Sequence, residues 1–243
     1  VKNSKAVNRK SMNQVSFQSV RQTTTAQGAF KPGQRVALPD GSEWVYVKAD
    51  SVLAKGSVAV PDAVVSVDTV SSSQDSQGRN VYITEASAGW TAGKYAEGWV
   101  YVDSGTGRGQ VAKIKDNTAD TLELYPEFAL STALSVADSD ITIRTPYLVG
   151  KAAVTSAKQE AVGIAQVAFS AGDYGWLQTK GDGAVLAGEA LSVGAGFTTG
   201  DDTTGQVIKA VTAEGPFDNQ NLGYCRVANE AADILAYVWI NIS

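Results

Sequence analysis

The sequence contains no histidine, one cysteine (Cys225) and one methionine (Met12). A lone cysteine forms no internal disulfide, so the fold does not depend on an oxidising compartment. With neither histidine nor paired cysteines, the usual ligands of a zinc site are missing, and no metal or cofactor is expected. The common base for a serine or cysteine nucleophile is missing too, and neither a Ser-x-x-Lys nor a Gly-x-Ser-x-Gly pattern occurs, which argues against an enzyme. No apolar run approaches the roughly 20 residues that span a bilayer, and the N-terminal VKNSKAVNRKSMNQVSF lacks the apolar core of a signal peptide. The expectation is a protein made in a cytoplasm, with no membrane partner. Long amphipathic helices are missing as well.

Glycine is abundant at 24 residues, and the chain is 44% hydrophobic but only 19% charged, a composition that suits a folded β protein with many turns. One hairpin signal runs from Val36-Ala37-Leu38 through the turn Pro39-Asp40-Gly41-Ser42 into Glu43–Lys48, where Asp-Gly tolerates positive φ. Further strands are expected over 57–60, 64–70, 80–84, 98–103, 109–115, 120–125 and 140–145, with Pro61 ending one of them. Residues 71–79 read as a polar loop and 127–136 as a short helical turn. A second hairpin joins Val162–Phe169 to Tyr174–Thr179 through Ser170-Ala171-Gly172-Asp173. Strands near 206–212 and 223–228 follow a Gly- and Thr-rich loop over 194–205. The closing strand, Ile234–Ile242, alternates two apolar faces, Ile234/Ala236/Val238/Ile240/Ile242 and Leu235/Tyr237/Trp239, as a central strand does.

The fold class is therefore all-β: two β-sandwich or barrel-like domains with an extended N-terminal arm. The expected divisions are a basic arm over 1–27, an N-terminal β domain over 28–147 and a C-terminal β domain over 148–243, with the linker at Pro146–Gly150. Residues 1–21 hold Lys2, Lys5, Arg9, Lys10 and Arg21 and no acid, whereas the remainder holds 15 of the 20 basic residues and all 25 acids. This asymmetry leaves two readings of the arm, a solvated terminal tail or a tether that lies across an acidic or polar protein surface, with Phe17 its one aromatic ring. Nucleic acid is not the expected partner: five charges meet few phosphates, and the acidic body repels them.

Other constellations are weaker. Gly105-Thr106-Gly107-Arg108-Gly109-Gln110 is glycine-rich but lacks the Lys-Ser/Thr of a phosphate loop and leads into a strand. The pairs Asp201/Asp202 and Asp138/Asp140 are expected to be solvated rather than a glycosidase pair or a calcium loop. Trp90, Tyr95, Trp99 and Tyr101 are read as core or subunit interface rather than a sugar platform. Cys225 is read as an inert buried thiol.

The run GDYGWLQTKGDGAVLAG (172–188), the Val193-Gly194-Ala195-Gly196 segment, the Leu222-Gly223-Tyr224 step and the closing WINIS together resemble the C-terminal domain of tailed-phage head decoration (cement) proteins. The likeness is best over about residues 150–243. It implies a β-rich structural virion protein, often a trimer, that binds the outer surface of the capsid and stabilises the expanded shell. The implied partners are the major capsid protein and further copies of the chain, as a homotrimer. The arm residues Lys2, Lys5, Arg9, Lys10, Phe17 and Arg21 are the candidate capsid contacts, and the implied location is the virion, after synthesis in a host cytoplasm. The alternative of a different class is a head-fibre, tail-fibre or tailspike component that binds host surface glycans. The shell subunit itself is disfavoured, because it carries a long spine helix.

Overall fold

The computed structural model describes residues 15–62, 64–151, 160–199, 205–210, 221–229 and 231–242. The strands in chain order are β1 (Arg35–Ala37), β2 (Glu43–Ala49), β3 (Val58–Pro61), β4 (Val65–Val67), β5 (Ser71–Gln74), β6 (Asn80–Thr84), β7 (Trp99–Ser104), β8 (Val111–Asn117), β9 (Thr121–Leu124), β10 (Asp140–Arg144), β11 (Leu148–Lys151), β12 (Gly163–Ala165), β13 (Tyr174–Ala187), β14 (Gly196–Thr199), β15 (Val207–Lys209), β16 (Gly223–Val227) and β17 (Ile234–Asn241). Helix is limited, among the described residues, to single 3₁₀ turns at Ser19–Arg21 and Pro126–Phe128. The protein is all-β, as its composition indicates.

Ten strands form one sheet and the other seven, β4 to β10, form a second. Traced neighbour by neighbour, the ten-stranded sheet closes on itself twice. The circuit β2-β11-β3-β12-β13 returns to β2, making a five-stranded barrel. Its interior holds Val45, Val47, Ala49, Ala59, Val149, Ala165 and Leu177 from the strands, with Leu53 and Phe169 from an isolated bridge between two connections. The circuit β13-β15-β14-β16-β17 returns to β13, making a second barrel. Val185, Ala187, Phe197, Val207, Leu222, Cys225, Ala236, Val238 and Ile240 fill it. Strand β13 is the stave common to both.

The seven-stranded sheet, in the order β4-β10-β7-β8-β9-β6-β5, has its own core around Ile83, Val100, Ile114, Leu122, Leu124, Ile141 and Ile143. It is inserted between β3 and β11. The chain leaves and returns at one place, where the Asp62 amide donates to the Leu148 carbonyl at 2.8 Å.

Several elements depart from the sequence expectations. The expected linker at Pro146–Gly150 becomes strand β11 from Leu148 onward, lying parallel to β2 and antiparallel to β3. Residues on either side of the expected 147/148 division therefore share one barrel. The polar loop expected over 71–79 begins as edge strand β5, whose serines need only backbone hydrogen bonds to β6. The expected helical turn over 127–136 shrinks to Pro126–Phe128. Part of the loop expected over 194–205 is strand β14, because Phe197 fills the second barrel. Strand β13 continues eight residues past Thr179.

The arm also departs from expectation. From Val15 onward the segment expected to extend freely lies on the body, where Val20 is fully buried beside Leu38, Trp44, Tyr46 and Trp176. Thr24 forms an antiparallel bridge with Tyr174, at 2.9 and 2.7 Å.

Gly223 tests the second barrel. Its φ is +145° and an added Cβ would lie 1.9 Å from the Trp239 carbonyl oxygen. Gly223→Ala is expected to destabilise the protein by at least about 2 kcal/mol in urea unfolding. An unchanged midpoint contradicts the β16–β17 register.

Candidate functional site

Of the six candidate arm contacts, Lys2, Lys5, Arg9 and Lys10 lie outside the described residues. Phe17 and Arg21 are exposed on either side of buried Val20. Ser16 and Ser19 hold the turn between them: the Ser16 amide donates to Ser19 Oγ at 2.7 Å and the Ser19 amide to Ser16 Oγ at 3.2 Å. The structure thus brings Phe17 and Arg21 together on a fixed root.

The weaker constellations resolve locally. Gly105–Gln110 is the turn between antiparallel β7 and β8, with the Gly109 amide bonded to the Val102 carbonyl, and no helix follows it. Asp138 accepts from Thr106 Oγ1 at 3.0 Å, and Asp140 from Ser104 Oγ at 2.6 Å and the Thr69 amide at 3.2 Å. The Ser104 bond, then the Thr69 bond, hold the Asp140 carboxyl below its ordinary range. These carboxylates fasten turns. Asp201 and Asp202 lie outside the described residues. Trp90 and Tyr95 are buried in the second sheet's core, edge to face at 5.8 Å, so their rings are not a platform. Trp99 is half-buried against Phe128, and Tyr101 is half-buried too. Cys225 points into the second barrel, and burial pushes its thiol up.

Two arrangements were not legible in the sequence. The first joins the barrels to the inserted sheet. Glu97, its side chain 9% exposed, accepts from Lys31 at 3.0 Å and Lys113 at 2.8 Å, and from the Tyr125 hydroxyl. Both lysines also lie over the Tyr125 ring, at 5.2 and 5.3 Å. Beside it, Lys94 pairs with Asp50 at 3.4 Å and Asp62 at 3.2 Å, and Lys48 donates to the Gly93 carbonyl at 3.3 Å. Burial pushes the Glu97 carboxyl up, but the bonds from Lys113, Tyr125 and Lys31 outweigh it and hold the group below its ordinary value.

The second arrangement is the outward face of the second barrel. Across β13, β17 and β16, the register sets Asp182 beside Trp239, Ala184 beside Tyr237 and Leu186 beside Leu235, with Tyr224 and Val227 on the far side of Trp239 and Tyr237. Arg226 lies over the Trp239 ring at 5.0 Å and the Tyr224 ring at 5.8 Å, and its Nε donates to Asp182 at 2.8 Å. The apolar Leu235/Tyr237/Trp239 row was the one sign of this face in the sequence.

No protein-family model matches the chain, and no curated protein does. A search of solved structures returns the head fiber gp8.5 N base of bacteriophage phi29, at 10% identity, covering 86% of this chain and 97% of that one. Its TM-score of 0.35 lies below what a shared fold requires, so it assigns neither fold nor function here.

Glu97 gives a pH test. Because its carboxyl is depressed in the folded state, the stability it contributes is present above the ordinary glutamate range and is lost as pH falls through the folded value. Glu97→Gln is expected to cost about 1–3 kcal/mol at neutral pH and to flatten the acid limb of the stability profile. Equal losses for both proteins on acidification contradict the assignment.

Proposed function

We propose that this chain is a non-enzymatic structural protein of a tailed-phage virion. It binds the outer surface of the capsid through the major capsid protein, associates with itself as a homotrimer and stabilises the expanded shell. The observation that supports this reading most is the root of the arm. Val20 and the Thr24–Tyr174 bridge fasten residues 15–27 to the first barrel, so Lys2, Lys5, Arg9 and Lys10 directly precede a fixed point on an acidic body. A cationic segment with a rigid anchor suits a neighbouring acidic or polar protein surface, and the 150–243 resemblance supplies the identity of that surface.

The mechanism is linkage. A protein that binds the expanded shell and not its open or disassembled states stabilises the expanded one by mass action. Contacts across the junction between shell subunits add buried area where those subunits touch little. Strand addition by the arm to an exposed sheet edge supplies affinity through backbone hydrogen bonds.

The root also decides how the arm is tested. Removing residues through Arg21 deletes Val20, whose burial contributes about 1.5 kcal/mol, and so mixes folding with attachment. Removal of residues 1–14 leaves the root in place. That truncation is expected to keep the far-ultraviolet circular dichroism of the full chain and to bind purified expanded capsids about tenfold or more weakly, with a shallower salt dependence. Unchanged attachment contradicts the tether. Specific binding on a glycan array, with no attachment to capsids, replaces this reading with the host-binding fibre.

A further inference from the structure

We propose that the outward face of the second barrel, formed by β13, β17 and β16, is the surface through which one copy of the chain packs against a second copy. This deepens the self-association in the proposed function and names where it occurs.

A closed β-barrel with its outside in water buries its inward residues and presents polar ones to solvent. The second barrel departs from that rule on one side. Tyr224, Val227, Leu235 and Tyr237 are 44, 56, 43 and 47% exposed, and the half-buried Trp239 and Leu186 lie among them. The first barrel departs in the same way and shows what such a face requires. Its outward Trp44, Tyr46 and Trp176 are covered by the chain's own residues Val20, Phe30, Val36 and Leu38. Among the described residues, no segment covers the corresponding face of the second barrel.

Three strands about 4.8 Å apart, with β17 rising about 3.4 Å per residue over its length, make a footprint of a few hundred Å². That is the size of the apolar centre of a subunit interface, whose standard burial is about 800 Å² per partner once a polar rim is added. Lys180 and Asn241 lie opposite one another at one end of the face and belong to such a rim.

The charges favour a second copy. Asp182 and Arg226 neutralise each other within the face, so two copies meet there without like-charge repulsion although the chain carries a net charge of −5. The same pairing disfavours a sugar. Arg226 already occupies a face of both Trp239 and Tyr224, and its Nε is already bonded to Asp182, so those two rings and that donor are engaged within the chain.

The test is sedimentation of the full chain at micromolar concentration, read on isolated protein, so its failure and the failure of capsid attachment are separate results. The wild type is expected to sediment as a dimer or trimer. Tyr237→Glu and Val227→Glu, both at exposed positions, are expected to weaken self-association by about tenfold or more while keeping the wild-type circular dichroism. Val111→Glu, equally exposed but on the inserted sheet, is expected to leave it unchanged. Tyr237→Ser repeats the test should a glutamate variant fail to fold. A monomeric wild type overturns the proposal, and so do folded Tyr237 and Val227 variants that keep the wild-type mass. A monomeric wild type whose glycan-array signal is lost in Tyr237→Glu overturns it in favour of a sugar.

Discussion

The backbone ladder of β13 is the constraint on which both barrels depend. Its first half pairs with β2 and β12, and its second half with β17 and β15, so one continuous strand closes two cores. The change of partners occurs at an irregularity between Gln178 and Lys180. There the buried Gln178 amide donates to the carbonyls of Lys180 and Asp182, at 3.0 and 2.9 Å, supplying by side chain what the ladder loses. Gln166 does the same farther on, bonding both the amide and the carbonyl of Ala184. Gly181 completes the crossing: its φ is +101°, and any Cβ would press on Ser42.

With β13 in place the rest follows as attachments. The inserted seven-stranded sheet hangs from one adjacent pair of connections and is held against the barrels by the Glu97 and Lys94 ion pairs, a polar joint rather than a shared core. The N-terminal segment covers the apolar outside of the first barrel and fixes the root of the arm. The outside of the second barrel also carries large apolar residues, around an Asp182–Arg226 pair, and in the proposed self-association it is where copies meet. The root of the N-terminal segment and the exposed apolar residues thus lie on different barrels.

Much of this was legible locally. Strand β6 falls on the expected 80–84, and the Pro39–Ser42 turn joins β1 to β2 as Asp-Gly predicts. The two faces of β17 alternate as read, and it lies between β13 and β16. The second half of β13 was hidden because Gly181 and Gly183 interrupt the strand pattern after Thr179. In the fold those glycines admit Ser42 and Ile240 at close range within a strand. The twin barrels were hidden because their closure rests on pairings such as β2 with β13, far apart in sequence, which no local pattern reports. Lys31 and Glu97 meet across 66 residues for the same reason. Val20 is one apolar residue in a polar stretch, and it is the outward Trp44–Trp176 face of the first barrel that gives it a place to bury.

The central claim is that the chain is a repeated component of a capsid surface. Its copy number per virion, measured against the major capsid protein by quantitative mass spectrometry of purified particles, tests that claim most directly. The account predicts copies on the order of hundreds, in simple ratio to the shell subunit, as occupation of symmetric lattice sites requires. A few copies to a few tens, or none, contradicts it.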